Sequence, residues 1–182
     1  MKKTTIFLAM LAVTTLAIAQ KKKTTTSATI NFDATTSIDA YPKATNNTVV
    51  ASINPKTGDV AFESIIKGFN FTNPKIQEHF NQPNWMDSNK YPSATFKGKI
   101  SNLADINFAK DGTYTANVAG NLTIRGVTKP VTTTAKITVA GKALNTTTDF
   151  EVKLADYGVS GAAIGAGKVA TDPKISVLAN FK

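Results

Sequence analysis

Residues 94–101 read ATFKGKIS, and apolar or small side chains alternate with polar ones along this stretch. Phe96 and Ile100 share one face of an extended chain, whereas Lys97 and Lys99 share the other. Alternation with a period of two residues is typical of a β-strand that has one buried and one solvated face. The stretch therefore predicts a half-buried strand with Phe96 and Ile100 on its interior side.

The same alternation recurs through most of the chain. It is found at about residues 30–34, 49–53, 60–64, 114–124, 131–139, 146–154 and 175–181. Turn sequences such as 54–59 (NPKTGD) and Asp111-Gly112 separate several of these runs. About eight strands joined by short turns, without regularly alternating helices, predict an all-β domain that closes as an up-and-down barrel or stacks as a sandwich.

One short helix is predicted between the strands. Asn73 and Pro74 form a suitable N-cap and first helical residue, and Ile76 and Phe80 lie four residues apart on one face. The segment covers about two turns, so we expect tertiary packing rather than intrinsic propensity to hold it.

The N-terminal residues predict export. Lys2 and Lys3 precede an apolar stretch at residues 6–16, and residues 17–19 read AIA, the small-x-small pattern of a cleavage site. The apolar stretch is shorter than the roughly 20 residues that span a bilayer. We therefore predict a cleaved signal peptide over residues 1–19 and a periplasmic or secreted bacterial protein.

The remaining residues divide into a linker and one domain. Polar residues dominate 20–27, which we predict to be a flexible linker, and the alternating pattern places the folded domain at 28–182. The length suits a single hydrophobic core. The sequence does not determine the oligomeric state.

Composition argues against several function classes. The chain has no cysteine and a single histidine, so disulfides are excluded and no transition-metal site is expected. The net charge is +9, but the lysines are dispersed and do not form a stripe with interleaved aromatic residues. We expect a solvated basic exterior, transient contact with membrane surfaces and no nucleic-acid partner.

Several segments resemble the YceI-like family. The segments are IQEHFN at 76–81, WMDSNKYPSATF at 85–96 and GNLTIRGVTKPV at 120–131, followed by DYGV at 156–159. The second and third are long and occur in the family's order and separation, and the resemblance covers about residues 27–182.

This resemblance implies an eight-stranded antiparallel lipocalin-like barrel with one short helical insertion, commonly periplasmic, that holds a polyisoprenoid chain in an elongated apolar cavity. The family usually opens with an Asp-x-x-His-Ser pattern and then a His-Leu-Gly pattern. The corresponding segments here read INFDA at 30–34 and FNF at 69–71, so the resemblance is to a divergent or shortened branch.

Large apolar side chains on the inward faces are the candidate ligand-binding residues, and they either line a ligand tunnel or fill the barrel as core. They are Phe32, Phe62, Phe69, Phe71, Phe96, Ile100, Leu122 and Phe150, with Phe181 as a further interior aromatic residue. The small inward residues Ala94, Gly98, Ala116 and Gly120 favour free space beside them.

No residue pattern indicates catalysis, and no cofactor is expected. His79 lacks a paired nucleophile or carboxylate, so we expect a structural role in which its ring bonds backbone near the barrel mouth. Tyr91 and Tyr157 are likewise unpaired. Arg125 and Lys129 flank a turn, where they either contact an anionic headgroup or remain solvated.

The glycine-rich segment 161–167 is interpreted as a flexible loop rather than a phosphate-binding loop, because no parallel strand precedes it. The leading functional hypothesis is a non-enzymatic, exported protein that binds an isoprenoid-like or other long-chain lipid. The alternatives are a small barrel embedded in the outer membrane and, less favoured, an enzyme acting on a hydrophobic substrate.

Overall fold

The computed structural model describes residues 22–182, so the predicted signal peptide lies outside the described residues. Antiparallel strands dominate this part of the chain. They are β1 (Lys23–Asp33), β2 (Lys43–Ile53), β3 (Asp59–Ile65), β4 (Asn70–Phe71), β5 (Ser93–Ile100), β6 (Gly112–Ile124), β7 (Val127–Ala140), β8 (Ala143–Glu151) and β9 (Lys174–Phe181).

The sheet closes on itself as a barrel. Around the barrel the strands follow the order β1, β9, β8, β7, β6, β5, β3 and β2, and β2 pairs again with β1. The two-residue strand β4 is an appendage on β2. The predicted eight-stranded antiparallel barrel is confirmed, and the sandwich that the alternation left open is not formed.

Two residues make the tight turn between β6 and β7. Arg125 and Gly126 have φ values of 50° and 76°. Two consecutive residues with positive φ form a turn whose twist matches that of the flanking strands. The turn therefore aligns two strands of 13 and 14 residues, which are the longest in the barrel.

The predicted linker is wrong for residues 23–27. These residues form the first half of β1 and pair with the end of β2, with Lys23 opposite Ile53 and Thr25 opposite Ala51. Their side chains are polar, so the run has no apolar alternation to mark it as a strand. The strand forms because a partner strand offers backbone hydrogen bonds and because threonine suits extended chain.

The predicted helix is present as α1 (Pro74–Asn81). The Asn73 side chain accepts a hydrogen bond from the Lys75 N–H at 2.9 Å, which confirms the predicted cap. Gln77 fastens the helix to the barrel, because its side chain accepts from the Phe71 N–H at 2.9 Å and donates to the Phe69 carbonyl at 2.7 Å. No helix in residues 22–182 is both long and apolar enough to cross a membrane.

The segment predicted as a flexible glycine-rich loop contains a short helix, α2 (Ala162–Gly165). Ile164 packs against the core cluster at this end of the barrel. The Ala170 N–H donates to the Ala34 carbonyl at 2.9 Å, which ties the connection between β8 and β9 to the end of β1. These contacts order the segment, and alternation could not reveal them because they involve no strand.

Buried clusters fill both ends of the barrel. The cluster at the end that carries the β5–β6 connection includes Ile53, Ile100 and Ile106. The opposite end is covered by α1 and its following segment, where Phe80 and Met86 are buried. A space remains between the two clusters.

Asn46 is fully buried on the inner side of β2, where β2 bulges against β1 and separates from β3. Its amide nitrogen donates to the Ser64 hydroxyl at 3.0 Å and to the Ile65 carbonyl at 2.9 Å. Its amide oxygen accepts from both the N–H and the hydroxyl of Thr48 at 2.9 Å. One side chain therefore satisfies the backbone groups that the bulge and the end of β3 leave unpaired.

Candidate functional site

The barrel encloses an apolar cavity of about 170 Å³. Side chains from β1 to β3 and from β5 to β9 line it, together with residues from α1 and the connections at one end. None of the lining side chains is a lysine, arginine, aspartate or glutamate. For scale, an apolar protein cavity of about 150 Å³ stays dry and accepts a molecule such as benzene. The cavity is therefore suited to an uncharged apolar group.

Most of the predicted ligand-binding residues meet at this cavity. Those in its wall are Phe32, Phe62, Phe69, Phe96, Ile100, Leu122 and Phe150, and Phe181 also contributes. All of them except Phe69 lie on the inward faces of strands, and Phe69 reaches the cavity from the connection between β3 and β4. Whether they contact a bound ligand remains a prediction.

Phe71 lies apart from the cavity lining. It belongs to the short strand β4, next to α1, and its ring centroid lies 4.9 Å from that of Phe80 and 6.2 Å from that of Phe32. Its role in the structure is to help pack the helix onto the end of the barrel. The sequence predicts an inward Phe71 because residues two apart, such as Phe69 and Phe71, share one face of a strand. The chain, however, leaves the barrel wall between β3 and β4.

The paired glycines of β5 and β6 do not leave free space. Gly98 and Gly120 face each other, and the Phe96 ring lies over both of them. A Cβ atom at either position would approach the Cζ atom of Phe96 to 2.6 Å. The expectation that these glycines make room for a ligand is therefore wrong, because they make room for an aromatic ring. Ala116 is likewise part of the packed core, whereas Ala94 does line the cavity.

Threonines on the inward faces keep the cavity apolar despite their hydroxyl groups. The Thr148 hydroxyl donates to the Thr134 carbonyl at 2.8 Å, and the Thr146 hydroxyl donates to the Ala179 carbonyl at 3.4 Å. Because these hydroxyls are bonded within the wall, polar groups are satisfied without a ligand.

The covered end of the barrel contributes lining residues that the sequence pattern missed. They are Ile66, Phe80, Met86, Leu154, Tyr157 and Val159. Most lie on a helix, a 3-10 helix or irregular chain, so a period of two could not select them. The position of Phe80 four residues after Ile76 was the one available signal, since that spacing predicts a packed helix face.

Tyr157 is buried beside the cavity, at the end of a 3-10 helix formed by Leu154–Tyr157. Burial raises the pKa of its hydroxyl above the ordinary value of 10.0, and the negative charge of Asp156 raises it further. The folded protein therefore favours the neutral phenol.

This shift predicts a loss of stability in alkali. The unfolded chain releases the Tyr157 proton at a lower pH than the folded chain, so folding becomes less favourable as pH rises above 10.0. The difference in unfolding free energy between the wild-type protein and Tyr157→Phe should be constant below that pH. Above it, the unfolding free energy of the wild-type protein should fall relative to that of the variant. Urea unfolding of both proteins between about pH 8 and about pH 11 measures this. A wild-type unfolding free energy that rises relative to that of the variant in alkali would contradict the prediction.

Comparison with known proteins assigns the fold to a family. The sequence profile of the YceI-like domain matches residues 12–181. The chain belongs to the YceI-like family. Two proteins of Pseudomonas putida, from strains F1 and KT2440 and both named UPF0312 protein, are 34% identical to it over 108 residues, which cover 55% of this chain and 50% of theirs. The chain thus spans about half the length of the curated relatives it matches.

Solved structures share the barrel. A polyisoprenoid binding domain from Saccharophagus degradans, implicated in plant cell wall breakdown, superposes with a TM-score of 0.74 at 13% identity, over 88% of this chain and 97% of that one. BcnA of Burkholderia cenocepacia gives 0.70 at 18% identity, over 84% and 95%. The YceI protein of Campylobacter jejuni gives 0.53 at 19% identity, over 100% and 99%. At these identities the likeness shows the fold alone.

Polar residues of this YceI-like barrel that suggested chemistry do not converge on the cavity. His79 is exposed on α1, and its ring makes no hydrogen bond with residues 22–182, which contradicts the predicted backbone contact. Lys129 is exposed on β7, in line with a solvated charge. Within the described range, no three of histidine, cysteine, aspartate and glutamate cluster closely enough to hold a metal ion.

Arg125 has a different place in the YceI-like barrel from either one expected. Its guanidinium donates to the Gly158 carbonyl and, at 3.0 Å, to the Pro83 carbonyl. It therefore joins the β6–β7 turn to two connections at the covered end of the barrel. Its role is structural, and sequence could not show this because both partners are backbone atoms distant in the chain.

Proposed function

We propose that this protein is exported and binds the apolar chain of an isoprenoid-like or other long-chain lipid inside its barrel. The observation that carries the proposal is the enclosed cavity, whose described lining contains aromatic, aliphatic and threonine side chains but no charged one. Each ligand CH₂ group transferred from water into such surroundings contributes about 0.8 kcal/mol. The isoprenoid class is supported by the likeness to a domain named for polyisoprenoid binding.

A long lipid needs more room than about 170 Å³, since pockets for drug-sized ligands usually measure about 300–1,000 Å³. The rings of Phe62 and Phe150 are the side chains best able to yield, because they line the cavity and are only half-buried where they pack against the clusters. Rotation of these rings would lengthen the cavity along the barrel axis. The proposal therefore includes side-chain rearrangement on binding.

The outward face favours a barrel that works in water rather than one embedded in a membrane. On β7 the outward residues Thr132, Thr134, Lys136 and Thr138 include an exposed lysine and exposed threonines. A membrane barrel needs an apolar outward band flanked by aromatic girdles. We propose a periplasmic or secreted location on the strength of the N-terminal pattern, with transient contact at membrane surfaces during lipid transfer. The hydroxyls of Thr146 and Thr148 are already hydrogen-bonded within the cavity wall, which supports binding rather than catalysis.

Lipid extraction tests the proposal directly. The full chain is expressed in its native host, purified without detergent and extracted with organic solvent, and the extract is analysed by mass spectrometry. A stoichiometric long-chain lipid is the expected result. Protein that repeatedly yields no such lipid, or that requires detergent to stay in solution, would contradict the proposal.

Filling the cavity should abolish the bound lipid. Ala94 lines the cavity from β5, so Ala94→Phe is expected to place a ring in the ligand's path and reduce the recovered lipid at least about tenfold. Ala119→Phe adds the same ring on the exposed outer face of the adjacent strand and should leave recovery unchanged. Equal recovery from both variants, each shown to be folded by circular dichroism, would place the lipid elsewhere.

A further inference from the structure

The hydrogen-bonded wall of the barrel is incomplete between β7 and β8. Their ladder ends at the pair Ala135 and Thr148. β7 reaches back to Val127 and β8 extends to Glu151, but these segments pair only with β6 and β9 in the described part of the chain. Residues 127–134 of β7 thus lie beyond the backbone ladder, alongside the end of β8 and the 3-10 helix that follows it, and we call this gap the β7–β8 seam.

Side-chain hydroxyl contacts hold β7 and β8 together where the seam begins, next to the last residues of the backbone ladder. The Thr133 and Thr148 hydroxyl oxygens lie 3.1 Å apart, and the Thr133 hydroxyl also lies 3.2 Å from the Asp149 carbonyl oxygen. These contacts continue the attachment of β7 to β8 for one step after the backbone ladder stops. Beyond them the two strands are held together by side-chain packing.

The packing across the seam consists of residues that also line the cavity. Val131 and Phe150 are half-buried on either side of it, and Val152 and Tyr157 are buried beneath. The 3-10 helix that carries Tyr157 lies against β7. The Tyr157 ring, which is 4% exposed, therefore occupies the place where backbone hydrogen bonds would otherwise complete the wall.

The seam is packed by the smallest of the three buried clusters around the cavity. Thirteen buried residues pack in the cluster at one end of the barrel and nine in the cluster at the other, whereas the seam cluster has three. Separating apolar side chains costs free energy in proportion to the area exposed. Opening the seam also breaks no backbone ladder, unlike opening any of the paired strand interfaces.

We propose that ligands reach the cavity through the β7–β8 seam and that Tyr157 is the side chain that controls their passage. This inference rests on the proposed function, because it assigns a route to the ligand of that same cavity. The ends of the barrel remain closed during exchange, and rotation of the Tyr157 ring out of the wall exposes the space between Val131 and Phe150, while Leu154 of the same 3-10 helix stays in the covered-end cluster.

Stopped-flow fluorescence with the uncharged probe N-phenyl-1-naphthylamine tests the route. Tyr157→Ala is expected to raise the association and dissociation rate constants by about tenfold, since it removes the obstructing ring. Phe71→Ala removes a ring that packs α1 onto the covered end but does not line the cavity, and it should change the association rate constant by less than about twofold. A faster association in Phe71→Ala than in Tyr157→Ala would overturn the proposal.

A reversible crosslink tests the same route without removing the ring. The chain has no cysteine, and the Thr133 and Thr148 oxygens are close enough that Thr133→Cys with Thr148→Cys can form a disulfide. The oxidised double variant should exchange probe more slowly than the same protein after reduction. The pair Thr138→Cys with Asn145→Cys, opposite each other within the β7–β8 ladder, should show no such difference.

Equal rates in the oxidised and reduced Thr133/Thr148 variant would overturn the seam as the route, even if Tyr157→Ala fails to fold. Wild-type protein that binds no probe and yields no lipid would instead overturn the proposed function. The two failures are therefore distinguishable.

Discussion

Replacing Gly120 by alanine is expected to destabilise the barrel by about 3 kcal/mol or more, because the added methyl group meets backbone and has no direction in which to move. A Cβ atom there would lie 2.4 Å from the Lys97 carbonyl oxygen and 2.5 Å from the Gly98 Cα atom. Both contacts are far inside van der Waals distance. Strands β5 and β6 would have to separate, and the Phe96 ring would lose the space that it occupies over the two glycines.

Gly165→Ala is the matched control for this prediction. A Cβ atom at Gly165 meets nothing within 4 Å, and the residue does not have a positive φ. Alanine at that position should leave stability unchanged or slightly higher, since it restricts the unfolded chain. Urea unfolding followed by circular dichroism measures both variants, and equal midpoints for Gly120→Ala and wild type would show that the strands approach less closely than described.

Loss of the Asn46 side chain should have a comparable effect. Asn46→Ala empties a fully buried position and removes four hydrogen bonds, which leaves the buried Ser64 hydroxyl and the part-buried Ile65 carbonyl and Thr48 N–H without their partner. Each buried polar group left unsatisfied costs about 1–3 kcal/mol. We expect the free energy of unfolding to fall by about 3 kcal/mol or more.

The neighbouring residue supplies the control. Asn47 is exposed, and its side chain accepts one hydrogen bond, from the Thr29 hydroxyl at 3.0 Å. Asn47→Ala should therefore cost no more than about 0.5 kcal/mol. Chemical denaturation of both variants at the same pH provides the comparison, and a cost for Asn46→Ala as small as that for Asn47→Ala would mean that water replaces the lost side chain.

The sequence allowed the barrel to be predicted where side chains alternate between its interior and the solvent. Residues 94–101 and 114–124 became β5 and β6 because their inward faces carry Phe96, Ile100 and Leu122. Alternation of apolar and polar residues did not identify residues 23–27 as a strand, because a polar strand gains stability from pairing rather than from burial. Pairing depends on a distant partner, which no local pattern reports.

The cavity was predictable in part for the same reason. Of the eight residues predicted to line the cavity, seven do so, and the eighth, Phe71, lies where the chain has left the barrel wall. The alternation could not identify Met86, which reaches the cavity from irregular chain, or Tyr157, which reaches it from a 3-10 helix. It also could not distinguish a glycine that leaves a space from one that accommodates a neighbour, as the Phe96 ring over Gly98 shows.

The β7–β8 seam has a further consequence for behaviour at high concentration. A closed sheet has no free edge, but residues 127–134 of β7 restore one, and such an edge can template the addition of a strand from another molecule. Pro130 cannot donate a backbone hydrogen bond, and Lys129 places an exposed charge beside it. Pro130 and Lys129 therefore protect this stretch of wall against edge-to-edge aggregation, and replacing both should make concentrated solutions prone to form fibres.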